Sequence, residues 1–196
     1  MSLNNVVLGA VALLLFAGPL TGSVQADGAD GRQAQEQNRM LSQGYSQLYQ
    51  MVAGMQHLNK ANYLKVESDK IEAMNKAIAE ASGAVADQLE KMADDYPSLT
   101  IKDPGLPEIE KKKRKAIRMD RIKDLAPIVG RTGKDYERTL LVTEAGLVNS
   151  VRFLAEVIKE EEKDAKRAAM MARTKEQFDD LFNRVLKLLE KDHFCS

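Results

Sequence analysis

The sequence predicts an all-α protein, an antiparallel bundle of four or five helices. Three observations carry this. Apolar residues recur at alternating steps of three and four, which lines one face of an α-helix. The composition is that of helix formers: Ala, Leu, Lys, Glu and Met are abundant, Trp is absent, aromatics are 5% and there are only 5 prolines. No stretch alternates apolar and polar residues as a half-buried strand does.

The chain opens on an apolar run from Val6 to Leu20, followed by small and polar residues ending at Ala26. An apolar core followed by small residues at −3 and −1 predicts a secretory signal peptide over 1–26, cut between Ala26 and Asp27. The run is short for a membrane span, which needs about 20 apolar residues. No Cys follows it, which argues against a lipoprotein anchor. The expected location is the periplasm or the exterior, with no integral membrane segment after processing. The remainder, 27–196, is the size of one domain with a real core.

Residues 27–32 are polar and Gly-containing and are expected to be a flexible N-terminus. A single bundle domain is expected over 33–192. Its first stripe is Leu41, Tyr45, Leu48, Val52, Met55 and Asn59. Asn59 to Asn62 interrupts mildly. A second stripe follows through Leu64, Glu67, Ile71, Met74, Ile78, Ala81, Val85, Leu89 and Met92. Gly83 within it is expected to mark a close approach or a short break, because Gly costs about 1 kcal/mol in a helix interior. Tyr96-Pro97 is the first firm stop, and Ser98 to Pro107 is a Pro- and Gly-containing loop.

Pro107 with Glu108 and Glu110 predicts a new helix start, since Pro suits the first turn and acids suit the N-terminal dipole. That helix ends near Val129-Gly130. The next, from Lys134 to about Arg167, places Leu140, Glu144, Leu147, Val151, Leu154 and Ile158 on one face. Thr174 is the expected cap of a last helix that buries Phe178, Leu181, Val185 and Leu188. Residues 193–196 form a tail. If 33–95 and 134–192 each ran unbroken, the alternative is an elongated coiled-coil hairpin.

Lys and Arg number 29, Asp and Glu also 29, so the formal charge is zero. A balanced chain gives no case for nucleic acid as partner. The block 108–123 is locally basic, and pairing with Glu160-Glu161-Glu162 is the expected outcome. Cys195 is the sole cysteine, one residue from the end. It permits no internal disulfide; it is a frayed thiol or the link of a covalent homodimer. Glu67 and Glu144 interrupt apolar stripes, and a carboxylate facing a core must be paired, metal-bound or protonated. They are the only metal-ligand candidates. A di-iron carboxylate centre also needs Glu-x-x-His on two further helices. Of the two histidines, His57 has no Glu at that spacing and His193 follows Glu190, so at most one of the two required motifs is present. No cofactor is expected. The eight methionines after residue 26 are expected to be core filler. There is no Gly-x-Ser-x-Gly elbow and no Gly-rich phosphate loop, so no catalytic residue is assigned.

Two stretches, Val85-Ala86-Asp87-Gln88-Leu89-Glu90-Lys91-Met92-Ala93-Asp94-Asp95-Tyr96 and Leu125 followed by Gly133-Lys134-Asp135-Tyr136-Glu137-Arg138, resemble a family of exported bacterial ferritin-like helical bundles of unknown function. The resemblance spans 35–190. It implies a ferritin-like bundle and an envelope location. The family places His where this chain has Tyr96, and often Asp-His where this chain has Val148-Asn149, so the resemblance carries over no ligand set. The expected function is that of a non-catalytic bundle working through protein contacts. The alternative is a metal or small-ligand carrier with a core site near Glu67 and Glu144.

Overall fold

The computed structural model describes residues 27–58, 66, 68–102, 105–113, 115–116 and 133–194. Four long helices carry the fold: α1 (Asp27–Met55), α2 (Asp69–Asp95), α3 (Lys134–Glu161) and α4 (Ala165–Leu189), the last running into a π-helical turn, Glu190–Phe194. Residues 108–113 are helical as well, and no strand occurs among the described residues. The protein is therefore an all-α helical bundle.

Each boundary has a local cause. α1 begins at Asp27, ahead of the Gln33 that periodicity marks, and ends at Met55 in a turn over Gln56 and His57. Ser68 precedes α2 without a side-chain cap, but its backbone N–H donates to Glu137 Oε1 at 2.8 Å, a cap supplied from α3. α2 stops where Tyr96 N–H donates to Met92 O, since Pro97 has no N–H with which to continue. The chain then folds back so that Leu99 and Ile101 enter the core. Ser46 Oγ donates to Thr100 O at 2.6 Å, and Thr100 N–H donates to Ser42 Oγ at 3.2 Å, which pins this return to α1. Gly133 enters α3 with φ at 82°, a left-handed conformation that suits Gly.

Two expected boundaries move. The break between the last two helices falls at Glu162 to Asp164, not at Arg167 to Thr174. Asp164 is the cap, its side chain accepting from Lys166 N–H and Arg167 N–H at 2.9 Å. Thr174 lies buried in mid-helix with its hydroxyl on Met170 O. With breaks after Met55 and at Glu162, the elongated hairpin is ruled out.

Contacts fix the helix directions. Ser68 meets Glu137 and Lys70 meets Asp192 at one end. At the other end Gln37 donates to Glu161 O, Tyr45 to Glu162 and Tyr96 to Asp164. The order is thus up, down, down, up. α1 packs on α2 and α3, α4 packs on α2 and α3, and every one of these neighbours is antiparallel. Because α2 and α3 run the same way, their connection is not a short loop. It must return the length of the bundle, about 40 Å for a helix of this size.

The core stripes of α1, α2 and α4 follow the expected residues with one exception: Leu41, Tyr45, Leu48, Val52 and Met55; Ile71, Met74, Ile78, Ala81, Val85, Leu89 and Met92; Phe178, Leu181 and Val185 are all buried, but Leu188 is half-buried and Leu189 takes its place. α3 is partly different. Glu144, Val151 and Ile158 are buried, but Leu141, Val148 and Ala155 share the core with them. Leu140, Leu147 and Leu154 flank it at half burial. Packing against α1 and α4 together makes this face wider than one stripe. Gly44 of α1 sits against Ile158, where an added Cβ would stand 3.0 Å from Ile158 Cγ1, so the missing side chain lets α1 and α3 approach. Gly83 neither breaks α2 nor marks a tight contact; its nearest neighbour would be Gln56 Cβ at 3.9 Å.

Candidate functional site

α3 presents one chemistry inward and another outward. Inward, Glu144 is fully buried, and so is Asn75 on α2. The Ser68–Glu137 contact sets their relative height: α2 and α3 rise together from it, and Asn75 and Glu144 lie the same number of residues further along. The two are therefore level in the bundle interior. Burial pushes the Glu144 carboxyl up to about 8 from its ordinary 4.5, so it is a neutral acid at pH 7. Burial, followed by the Glu144 charge, raises the Tyr136 phenol.

The other metal-ligand candidate, Glu67, lies outside the described residues, so nothing joins it to Glu144. Among the described residues no three His, Cys, Asp or Glu side chains stand close enough to share a metal ion. His57 is exposed, in the turn after α1. His193 is not frayed: it lies half-buried in the π turn with its Nε2 enclosed. Met55, Met74, Met92, Met170 and Met171 pack in the core.

A second polar cluster closes the opposite end. Arg167 donates through Nε to Glu162 Oε2 at 2.7 Å and through a terminal nitrogen to Oε1 at 2.8 Å. Tyr45 OH donates to Glu162 Oε2 at 2.8 Å, and Asp164 N–H to Oε1 at 2.9 Å. The Arg167 guanidinium lies 4.4 Å over the Tyr96 ring, and Tyr96 OH reaches Asp164. Burial alone would raise the Glu162 carboxyl, but the bonds from Arg167, Asp164 and Tyr45 outweigh it and hold it below the usual carboxylate range. Burial, and then the bond to Glu162, drive the Tyr45 phenol well above its ordinary value. The cluster ties together α1, the end of α2, the α3–α4 corner and α4. The sequence reading missed it, having paired the 160–162 acids with the basic block. In the described part of that block, Lys111 bridges to Glu108 and Lys113 to Glu110 within their own helix.

Outward, α3 is unusual. Between Thr139 and Val151 its only charged residue is Glu144, which points inward. Val142, Thr143, Gly146 and Ser150 face solvent there, followed by Phe153 at 50% exposure and Val157 at 54%. Arg152 lies beside this face, 4.7 Å over the Phe153 ring and 4.3 Å over Phe182. It is held by Asn149 Oδ1 at 2.8 Å and Asp179 Oδ1 at 3.0 Å.

No protein-family model, curated protein or solved structure matches this chain. Asp27 is the first residue of α1, whereas Ala26 and Cys195 lie outside the described residues, so neither the cleavage position nor the intermolecular disulfide has a structural counterpart.

The neutral Glu144 makes a pH prediction. Between 4.5 and about 8 the unfolded chain gives up a proton that the folded chain keeps. This contribution to stability is whole below 4.5 and declines as pH rises toward 8, at about 1.4 kcal/mol per unit. Glu144→Gln should flatten that decline. Urea midpoints at pH 5, 6.5 and 8 measure it, and equal slopes in variant and wild type would refute the assignment.

Proposed function

We propose that this chain is a non-catalytic helical-bundle protein that works through protein–protein contacts in the cell envelope, in the periplasm or beyond it. The observation that carries this is the outer face of α3. Exposed faces of soluble helices interleave charges, as α2 does with Glu72, Lys76, Glu80, Asp87 and Lys91, and α4 with Arg173, Glu176, Asp180 and Arg184. α3 instead shows solvent small and apolar residues anchored on Phe153 and Val157. An exposed apolar strip of this kind marks an interaction surface more often than it marks chance. The envelope location rests on the apolar run Val6 to Leu20 and the small residues ending at Ala26. None of the described helices is long and apolar enough to cross a membrane.

A second function is favoured by one feature, the buried Glu144. It is that of a ferritin-like carrier of a metal ion or small ligand in the bundle interior. The up, down, down, up order with one long crossover is the arrangement ferritin-like bundles use, which supports the family resemblance. If Glu144 serves a bound cation, Fe²⁺, Mn²⁺ or Zn²⁺ should raise the melting temperature of the wild-type chain and not of Glu144→Gln. No shift in either would remove this alternative.

The contact function is tested by photo-crosslinking in the producing cell. A photoreactive residue at position 153 should yield a protein adduct, and one at Glu80, on the charged face of α2, should not. Adducts at neither position, or equally at both, would contradict it.

A further inference from the structure

The outer face of α3 is complementary to itself. At 100° per residue, Val142, Gly146, Phe153 and Val157 fall within about 60° of one another. They run along the helix for about 22 Å. We propose that this face pairs antiparallel with the same face of a second copy, about a two-fold axis passing between Asn149 and Ser150. The proposal rests on the contact function and names its partner as this chain itself.

Three features favour a second copy. First, the two-fold axis sets Val142 opposite Val157 and Gly146 opposite Phe153, each pair occurring twice, as an isologous interface requires. Gly146 is a notch: a Cβ built there meets nothing within 4 Å, so the backbone lies bare on the surface and a ring can rest against it. Second, the ring is already in place. Arg152 stacks on Phe153 and is itself fixed by Asn149 and Asp179, so little side-chain freedom remains to be lost on docking. An aromatic anchor beside an Arg is the composition of interface hot spots. Third, the charges match only in the antiparallel arrangement. Arg138, exposed before the neutral stretch, arrives beside Glu160 and Glu161, exposed after it, at both ends of the contact. A parallel pair would instead oppose Arg138 to Arg138 and Glu160 to Glu160. The Arg138 contact to Asp135 within its own helix is long, 3.9 Å, and solvent-exposed, so it competes weakly.

The test is sedimentation equilibrium of the full chain across a range of concentrations, beside its variants. The wild type should form a dimer that dissociates on dilution. Gly146→Leu replaces Gly with a strong helix former at an open position, so the bundle should melt no lower than wild type. It should nevertheless weaken the dimer about tenfold or more, because the notch is filled. Arg138→Glu should weaken it too, and adding Glu160→Lys and Glu161→Lys should restore it. A wild-type chain that stays monomeric, or a dimer indifferent to Gly146→Leu and to the charge exchange, would overturn the proposal. The crosslink at position 153 separates the two ideas. An adduct to a different protein from a monomeric chain overturns the self-pairing and keeps the contact function; no adduct at all overturns both.

Discussion

The buried ion pair between Glu162 and Arg167 organises one whole end of the molecule. Glu162 is fully enclosed at its side chain and Arg167 is 14% exposed. Neither charge is tolerable there alone, and together they are satisfied by a two-pronged bond plus Tyr45 and the Asp164 backbone. The pair forms only if the chain leaves α3 after Glu161 and re-enters a helix at Ala165. The break between α3 and α4, the depth of Tyr45 in the core and the docking of Tyr96 at the end of α2 therefore share one electrostatic condition. The division of 134–189 into two helices, rather than one long one, follows from it.

With that corner fixed, α3 runs between α1 and α4 and must serve both. Its wide inner face takes in Leu141, Val148 and Ala155 besides the expected stripe. Its inner acids do structural work at the other end. Glu137 caps α2 across the interface, and Glu144 remains as a neutral acid level with Asn75. The outer face, free of charge from Thr139 to Val151, is then the part of the helix that no neighbour among the described residues explains.

Much of the fold was legible in the sequence, because helical periodicity reports burial directly. Most of the described stripe residues of α1, α2 and α4 were read correctly, as was the stop at Pro97, but in α4 Leu189 is buried where Leu188 was expected. The corner at Glu162 was not. Glu160-Glu161-Glu162 looks like a solvated acidic run, and only the cap geometry of Asp164 and the reach of Arg167 single out the third acid. Asp164 at the head of a helix was a readable signal, but Thr174 offered a competing one. The long crossover was also hidden, since helix direction depends on which ends meet, and periodicity carries no information about that. Of the candidate site residues, Glu144 was identified from its place in an apolar stripe. The outer face was overlooked because apolar residues flanking a stripe look like more of the same core.

The measurement that bears most directly on this account is a double-mutant cycle at the corner, using Glu162→Gln, Arg167→Met and both together under chemical denaturation. Each single change strands a buried charge or its partner and should cost about 3–5 kcal/mol. The double variant should cost less than their sum by about 1–3 kcal/mol, the coupling of two groups that answer each other. Small, additive losses would mean that the corner is held by packing alone and that the pair does not set the bundle's shape.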